Sequence, residues 1–359
     1  MATLDLSSET ASGINCFPDK RRGEVGSEAM AVAIAHPNIA LSKYWGKWPG
    51  PGNYPAVPSL SVTLKGMKTE TEVCFREELS CDRLVLAGEE LSGIPLERVK
   101  ELLNRVRAVS GENRFAEVRT NNDFPTGSGL ASSASGFAAL ALAAAHAAGL
   151  SYTREWVGDL ARQSSVSAAR SIIGGFVELT AGPPSAEREG EEGLLAAIQV
   201  APPDYLDLYM LVCVVTEAPK LISSTEGMRV TASKSPFYRA WLEVAPALHE
   251  RIHRALLACD ICQLGEAVET SALAMHASAL AAGIFYWSPV TFSVLEAVRS
   301  LREKGWLAYA TIDAGPHVKV LTGSKHLSFV KQSLEALHGV QRVLETCPGE
   351  GAQLVSPLI

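Results

Sequence analysis

A glycine- and serine-rich turn followed by a helix without a polar face constrains the fold of this chain more than any other feature. The turn is PTGSGLASSASG, residues 125–136, and it follows the alternating segment FAEVRTNN, which predicts a strand. The next run, FAALALAAAHAAGL at residues 137–150, carries His146 and is too short and too rich in alanine to span a bilayer. It therefore predicts a buried helix in a protein that mixes helices and strands.

The same turn has the composition of a phosphate-binding loop. Gly127 and Gly129 let the backbone approach a ligand closely, and the start of the following helix offers unpaired N–H groups and the positive end of its dipole. Ser132 and Ser133 add hydroxyls that can reach phosphate oxygens or a magnesium ion. The loop is not a Walker A motif, because no GK[ST] follows, and its glycine spacing differs from the Rossmann fingerprint. A turn of small residues that only lets a helix pack tightly is the structural alternative.

Composition and charge limit the partners of the chain. Its 359 residues are 47% hydrophobic, so it can bury a core and is neither disordered nor fibrous. The formal net charge of −7 leaves no global basic field for nucleic acid or an anionic membrane, so an anionic ligand must meet a local cluster of donors. Seven scattered cysteines indicate a reducing compartment, and we expect a cytoplasmic protein.

One cysteine pair has metal-ligand spacing. Cys259 and Cys262 form a CxxC within the helix-like stretch RIHRALLACDICQLGEAV. No second CxxC accompanies it, so two thiols on a helix are favoured over a zinc or redox site.

Strands and helices are interspersed in both halves of the chain, which predicts an α/β or α+β protein of two domains. The stretch AGPPSAEREGEEG, residues 181–193, is rich in glycine, proline and charge and predicts a linker. We expect an N-terminal domain at residues 30–187 and a C-terminal domain at residues 188–359. The first segment lacks the apolar run of a signal peptide, so residues 1–29 are predicted to be a disordered tail.

Local patterns predict further elements. SLSVTL and TEVCF alternate polar and apolar residues as half-buried strands do. IPLERVKELLNRVRAVSG has apolar residues at helical spacing and ends on Gly111, a natural C-cap. LAYATIDAGPHVKVLTG predicts two strands joined by a tight turn.

A second segment that favours anion binding is AHPNIALSKYWGKWPG, residues 35–50. Lys43 and Lys47 lie four residues apart beside a predicted strand end, and Asn38 and Tyr44 add an amide and a phenol. Together these groups indicate an anion pocket. A solvated surface is the alternative for two lysines.

A third segment is RQSSVSAARSIIGG, residues 162–175. Ser165 and Ser167 supply hydroxyls, and Arg170 supplies a planar bidentate donor, a combination suited to phosphate plus carboxylate. Serines and an arginine at a helix start can also simply cap the helix.

A carboxylate ends an apolar strand in TIDAGPHVKVL, residues 311–321. Asp313 would be costly to bury without a partner, and the AGP turn after it would fix its direction. An Asx-turn is the structural alternative.

Taken together, these segments resemble the GHMP kinase superfamily and, within it, the mevalonate diphosphate decarboxylase family. The motifs that carry the resemblance are NIALSKYWGK, NNDFPTGSGLASSASGFAAL, SVSAARS, SSTEGM and TIDAGP, which follow the family's order from about residue 31 onward. The resemblance implies a two-domain GHMP kinase fold with a ribosomal-protein-S5-like N-terminal domain and a ferredoxin-like α+β C-terminal domain. ATP and substrate would lie between the two domains.

The resemblance also implies an activity and roles for residues. The activity is that of a carboxy-lyase of the mevalonate pathway, in which ATP and Mg²⁺ drive decarboxylation of mevalonate 5-diphosphate to isopentenyl diphosphate. Asp313 would act at the 3-hydroxyl with Lys43 beside it, and Arg170, oriented through Asn38, would hold the substrate carboxylate. The implied ligands of the substrate phosphates are Tyr44, Lys47, Ser165 and Ser167. The implied ATP-binding residues are Pro125, Thr126, Gly127, Ser128, Gly129, Leu130, Ser132, Ser133, Lys220 and Ser224, with Ser132 also reaching the metal.

Several positions depart from the family pattern. Ser164 and Val166 replace glycines, and His317 replaces an asparagine. The segment LAMHASALAAGIFYWSP, residues 273–289, is closer to relatives that decarboxylate mevalonate 5-phosphate, whereas Lys47 favours the diphosphate. Within that segment, His276 either faces the active cleft or is a buried helix histidine.

Three rivals to this function are therefore retained. They are a mevalonate 5-phosphate decarboxylase, a mevalonate 3-kinase, and a non-catalytic ligand-binding relative. The family further suggests a homodimer.

Overall fold

The computed structural model describes residues 18–20, 29–124, 132–184, 194–216, 218 and 220–355. Its strands are β1 (Asp19–Lys20), β2 (Ala29–Ala35), β3 (Asn38–Ser42), β4 (Ser59–Thr63), β5 (Thr69–Arg76), β6 (Arg83–Leu86), β7 (Glu89–Leu91), β8 (Phe115–Asn122), β9 (Leu150–Ser151), β10 (Phe176–Leu179), β11 (Ile198–Ala201), β12 (Tyr209–Val214), β13 (Tyr309–Ile312), β14 (Val318–Thr322), β15 (Arg342–Thr346) and β16 (Gln353–Val355). Its helices are α1 (Ile94–Ser110), α2 (Ser132–Ala147), α3 (Arg154–Ser164), α4 (Ala168–Ile173), α5 (Ser224–Lys234), α6 (Tyr238–Leu257), α7 (Ile261–Leu280), α8 (Pro289–Glu303) and α9 (Leu327–Glu335).

The strands form three larger sheets and one small pair. The first sheet has the order β16-β2-β5-β8-β6-β7, the second β11-β10-β4-β3, and the third β13-β14-β12-β15. All pairings are antiparallel except that of β6 with β8. The pair β1-β9 attaches residues 19–20, which fall within the predicted tail, to the start of the loop before α3.

The alanine-rich helix α2 is the centre of the N-terminal core. It packs on β2 and β5 on one side and on α3 and α4 on the other. Every side chain from Phe137 to Ala145 is buried, as expected for a helix without a polar face. The predicted buried helix is confirmed. In the described residues, no helix is long and apolar enough to cross a membrane.

The second and third sheets enclose α6 and α7. Apolar residues of β3, β4 and β12 pack with those of α6 and α7 in one cluster, and α8 and α9 cover the other side of the third sheet. Two strands beyond the predicted domain boundary at residue 187 pair with strands before it, because β11 pairs with β10 and β16 pairs with β2. We therefore propose that the N-terminal domain includes these two strands. Residues 181–193, most of which are outside the described residues, would then connect β10 with β11 inside that domain.

Two local predictions have opposite outcomes. Helix α1 ends as predicted at Gly111, which adopts φ 68° and donates its N–H to the carbonyl of Arg107. The CxxC does not lie on one helix: α6 ends at Leu257, Cys259 has φ 53°, and Asp260 caps α7 by accepting from the N–H of Gln263. The prediction of two thiols on one helix is wrong, because the aspartate between them starts a new helix.

Candidate active site

A cavity of about 330 Å³ is lined by the segment after β3, the turn between α3 and α4, the start of α5 and the turn after β13. Its described lining carries five cationic side chains and one carboxylate, namely Lys43, Lys47, Arg98, Arg170, Lys220 and Asp313. This positive excess is local, since the whole chain has a net charge of −7. The cavity therefore suits a small anionic ligand.

Asp313 and Lys43 meet because each directly follows a strand that ends at the cavity. Lys43 Nζ lies 2.6 Å from Asp313 Oδ1 and donates to the Ala40 carbonyl at 2.8 Å. The other carboxylate oxygen lies 3.3 Å from the Nζ of Lys319, which is fully buried on β14. The sequence analysis missed Lys319, although a lysine between buried valines in HVKVL is a signal of a buried charge pair.

This arrangement keeps the carboxylate ionised. Burial alone would raise the pKa of the Asp313 carboxyl, but the charges of Lys43 and Lys319 hold it well below its usual value. Burial lowers the pKa of Lys43, and Asp313 opposes that shift. We call Lys43, Asp313, Lys319 and Arg170 the carboxylate cluster.

Arg170 is fixed by the strand behind it. Its Nε donates to Ser61 Oγ at 2.9 Å and its Nη1 donates to Ser59 Oγ at 2.7 Å, because alternate residues of β4 face the same side. Among the described residues, none accepts from Nη2, so this group can donate to a ligand. Burial lowers the pKa of Arg170 to about 10, and the side chain stays charged at neutral pH.

Asn38 plays a different part from the expected one. Its Nδ2 donates to the Ser167 carbonyl at 2.9 Å and to Ser171 Oγ at 2.8 Å, so it binds the backbone and side chains of α4 rather than Arg170. The expected orientation of Arg170 through Asn38 is therefore replaced by the two serines of β4. Asn38 Oδ1 is buried and has no partner among the described residues, which leaves an acceptor at the cavity wall.

The segment with Lys47 is held in place by α6. The indole of Trp241 donates to the Trp45 carbonyl at 2.6 Å. Gly46 adopts φ 121°, and a Cβ there would collide with the Tyr238 hydroxyl, so only glycine fits. The chain is thus turned so that Lys47 lines the cavity.

Lys47 and Arg98 are a second group of charges, which we call the cation pair. Neither lies within 4.0 Å of a carboxylate oxygen in the described part of the chain, although the more distant charge of Glu101 acts on Arg98. Arg98, from α1, donates to the Ser164 carbonyl at 2.8 Å and lies over the Phe137 ring. Burial, and then the charge of Arg98, lower the pKa of Lys47 to about 8.

Residues with hydroxyl groups line the same cavity as the cation pair. Ser165 and Ser167, the predicted phosphate ligands, lie at the α3–α4 turn and line the cavity, with their Oγ atoms 3.4 Å apart. The hydroxyls of Tyr44 and Ser164 are buried without a partner among the described residues. Burial raises the pKa of Tyr44 well above its usual value, so its hydroxyl is a neutral donor. The buried hydroxyls of Tyr44 and Ser164 and the cations Lys47 and Arg98 line one cavity. We infer that a bound anion supplies the acceptors that these donors lack.

Only some of the predicted ATP-binding residues are among the described residues. Pro125, Thr126, Gly127, Ser128, Gly129 and Leu130 lie outside them. Ser132 and Ser133 begin α2 and line both the first cavity and an adjoining, mainly apolar cavity of about 460 Å³. Lys220 donates to Ser224 Oγ at 2.9 Å and to the Ala314 carbonyl at 3.3 Å, beside the carboxylate cluster.

Three positions in the parts of the chain that depart from the family pattern are buried, Val166, His276 and His317, whereas Ser164 is half-buried. Val166 packs with Ala169 and Val177 as well as lining the cavity. His317 Nδ1 accepts from the Val215 N–H at 3.3 Å, and burial lowers its pKa to about 4. His276 is a buried histidine of α7 whose Nε2 lies 3.3 Å from the Ile312 carbonyl, in the strand that carries Asp313.

Comparison with known proteins assigns both halves of the chain to one family. The model described as diphosphomevalonate decarboxylase-like N-terminal domain matches residues 35–189, and that described as mevalonate 5-diphosphate decarboxylase C-terminal domain matches residues 210–354. A phosphomevalonate decarboxylase of Haloferax volcanii is 33% identical over 85% of this chain and 91% of that protein.

Solved structures give the same assignment. The mevalonate diphosphate decarboxylase of Staphylococcus aureus superposes with a TM-score of 0.85 at 33% identity, covering 92% of this chain and 98% of that one. A structure described as MDDEF in complex with MVAPP, AMPPCP and magnesium gives a TM-score of 0.83 at 37% identity, covering 91% and 99%. The predicted two-domain fold is confirmed, and the chain belongs to the mevalonate diphosphate decarboxylase family of GHMP kinase-fold proteins.

Proposed function

We propose that this chain catalyses the ATP-dependent decarboxylation of mevalonate 5-diphosphate to isopentenyl diphosphate, with release of ADP, phosphate and CO₂. The observation that carries the proposal is the set of charged side chains that line the cavity. Among the described residues these are one ionised carboxylate, Asp313, and five cations. Such a cavity offers an acceptor for one hydroxyl and donors for an anionic substrate. The names of the relatives and the complex with MVAPP and AMPPCP support the substrate and the nucleotide.

Asp313 would accept a hydrogen bond from the 3-hydroxyl of the substrate. Because Lys43 and Lys319 keep its pKa low, the carboxylate orients the hydroxyl oxygen for in-line attack and receives the proton only late in the step. A loose phosphoryl-transfer transition state needs little proton removal before the new bond forms. The cluster therefore contributes position and charge rather than basicity.

Arg170 would hold the substrate carboxylate through Nη2. Ser61 and Ser59 accept hydrogen bonds from its Nε and Nη1, so the guanidinium keeps its direction while the reaction proceeds. When phosphate leaves the tertiary carbon, positive charge develops there, and cleavage of the carboxylate quenches it. A rigid donor keeps that carboxylate aligned with the breaking bond.

The described residues fit a nucleotide. Ser132 and Ser133 connect the charged cavity with the mainly apolar one, so they would bind phosphates while the apolar cavity would take the base. Lys220 and Ser224 would contribute from the C-terminal side, and Ser132 is the proposed protein ligand of Mg²⁺. Bound ATP supplies the phosphoryl group that turns a tertiary hydroxyl into a leaving group, and Mg²⁺ neutralises its phosphates.

The cation pair supports the diphosphate over the monophosphate. Lys47 and Arg98 form no ion pair among the described residues, and the unpaired hydroxyls of Tyr44 and Ser164 belong to residues that line the same cavity. A charge-assisted contact contributes about 1.5 to 3 kcal/mol, enough for roughly a tenfold to hundredfold preference. The monophosphate stays the second candidate, because the Haloferax volcanii relative is a phosphomevalonate decarboxylase. The homodimer and the cytoplasmic location stay predictions.

The decisive experiment supplies ATP with mevalonate, its 5-phosphate or its 5-diphosphate, and measures CO₂ and ADP separately. We expect equal release of both products, with the highest kcat/KM for the diphosphate. Lys47→Met should lower kcat/KM about tenfold to hundredfold for the diphosphate and much less for the monophosphate. Lys304→Met, at an exposed helix end, is the matched control.

Three outcomes would replace the proposal. A higher kcat/KM for the 5-phosphate, with Lys47→Met affecting both substrates alike, would identify the monophosphate enzyme. ADP without CO₂ would identify a 3-kinase. Saturable substrate binding without either product would identify a ligand-binding relative.

A further inference from the structure

Two histidines of α6 and a glutamate of β10 converge at a point outside the cavity, where α6 lies against the second sheet. His253 Nδ1 lies 2.8 Å and His249 Nε2 lies 3.5 Å from the same oxygen, Oε2 of Glu178. All three ligand atoms lie within 4.8 Å of one another. None of the three residues lines the cavities described above.

The sequence and the fold explain the convergence. The histidines occupy positions i and i+4 of α6, so they lie on one face of the helix. That face packs toward the second sheet, whose strand β10 presents Glu178. His249 is buried, and Glu178 and His253 are partly exposed, so solvent reaches one side of the group.

The ligand set and spacing match those of a zinc site. Imidazole nitrogen and carboxylate oxygen bind Zn²⁺ at about 2.0 to 2.2 Å, which places tetrahedral ligands about 3.3 Å apart. The two observed nitrogen–oxygen separations lie on either side of that value. Two neutral imidazoles and one carboxylate would leave a fourth position for water on the exposed side.

A second contact orients the buried ligand. His249 Nδ1 lies 2.9 Å from Ser42 Oγ, and that oxygen also accepts from the Leu60 N–H. Ser42 Oγ can accept a hydrogen bond from Nδ1–H of His249, and in that tautomer Nε2 is unprotonated and free to bind a metal. Histidine ligands of metals regularly have such a partner on the other ring nitrogen.

We propose that Glu178, His249 and His253 form a zinc-binding site that clamps α6 to β10. The site lies apart from the catalytic cavity and uses none of its residues, so the proposal does not depend on the proposed function. The clamp reaches the cavity indirectly, since Ser42 is the residue before Lys43. A bound metal would fix the helix and sheet that position the catalytic lysine.

The test titrates nucleotide-free, Mg²⁺-free full-length protein with Zn²⁺ by calorimetry, and follows thermal unfolding with and without Zn²⁺. We expect one saturable site and a higher Tm with the metal. His253→Ala and Glu178→Gln should each raise the Kd about tenfold or more and remove the metal-dependent Tm shift. His338→Ala, at an exposed surface position, should leave both unchanged.

The exposed Cys259 and Cys262 are the competing ligands, so Co²⁺ serves as a spectroscopic probe. The proposed site predicts a Co²⁺ spectrum without a thiolate charge-transfer band and unchanged in the Cys259→Ser, Cys262→Ser double variant. The proposal is overturned by any of three results. These are no saturable Zn²⁺ binding, binding that both His253→Ala and Glu178→Gln retain, or a thiolate band that the double serine variant loses.

Discussion

The carboxylate cluster and the cation pair lie at one cavity but differ in which groups balance their charges. In the cluster, Asp313 is bound by two lysines, and two serines fix Arg170. In the pair, Lys47 and Arg98 have no carboxylate partner in the described residues, and neighbouring hydroxyls are unpaired. In the first region the protein itself balances the charge of Asp313 and leaves only Nη2 of Arg170 for a ligand, whereas in the second region a ligand must supply the negative charge.

This difference separates catalysis from binding. Prearranged charges act on the transition state without reorganising, so changes in the carboxylate cluster should lower kcat. Unpaired cations act on any bound phosphate, in the ground state and the transition state alike, so changes in the cation pair should mainly raise KM. The predictions below test that separation.

The largest effect is expected for Asp313→Asn. The amide cannot accept the hydroxyl proton and no longer balances Lys43 and Lys319, so kcat should fall roughly 10²- to 10⁴-fold. Nucleotide binding, measured by calorimetry, should persist because Ser132 and Ser133 are untouched. Asp204→Asn, at an exposed position, is the control. Near-normal turnover in Asp313→Asn would remove the carboxylate from the mechanism.

A smaller loss is expected for Arg170→Lys. Lysine keeps the charge but cannot donate to Ser59, Ser61 and substrate with one planar group, and we expect a cost of about 2 to 4 kcal/mol in kcat/KM. The matched control is Arg154→Lys, which loses a bond to the Ile172 carbonyl outside the cavity. Steady-state kinetics of both variants give the comparison. Unchanged constants in Arg170→Lys would make this arginine purely structural.

Sequence reasoning found the residues that local motifs carry. The resemblance to the family implies that Lys43 lies beside Asp313, and the structure places the two side chains 2.6 Å apart. Lys319 was missed, although its position among buried valines could have identified it. Arg98 has no such signal, because arginine and lysine are common on the exposed face of an amphipathic helix such as α1.

Long-range pairing explains the other differences. Strand β16 joins the first sheet from the end of the chain, and no local pattern encodes that partner. Ser59 and Ser61 were seen only as alternating strand residues, since their role depends on a helix more than 100 residues away. Site residues within local motifs were therefore predictable from the sequence. The distant residues that hold them in position were not.

The smallest effect, a pH dependence, tests the cation pair directly. Lys47 has a pKa of about 8 and binds phosphate only when protonated, so kcat/KM should fall above pH 8, approaching tenfold per pH unit. Bound phosphate stabilises the charged form, so kcat should fall only at higher pH. Lys47→Arg should abolish this limb, because a guanidinium stays charged. The carboxylate cluster predicts no acid limb near neutrality, since the pKa of Asp313 lies well below its usual value. If the limb persists in Lys47→Arg, it belongs to another group such as Lys43 or Lys220, whose pKa values burial also lowers, and Lys47 is not the phosphate ligand that sets the pH dependence.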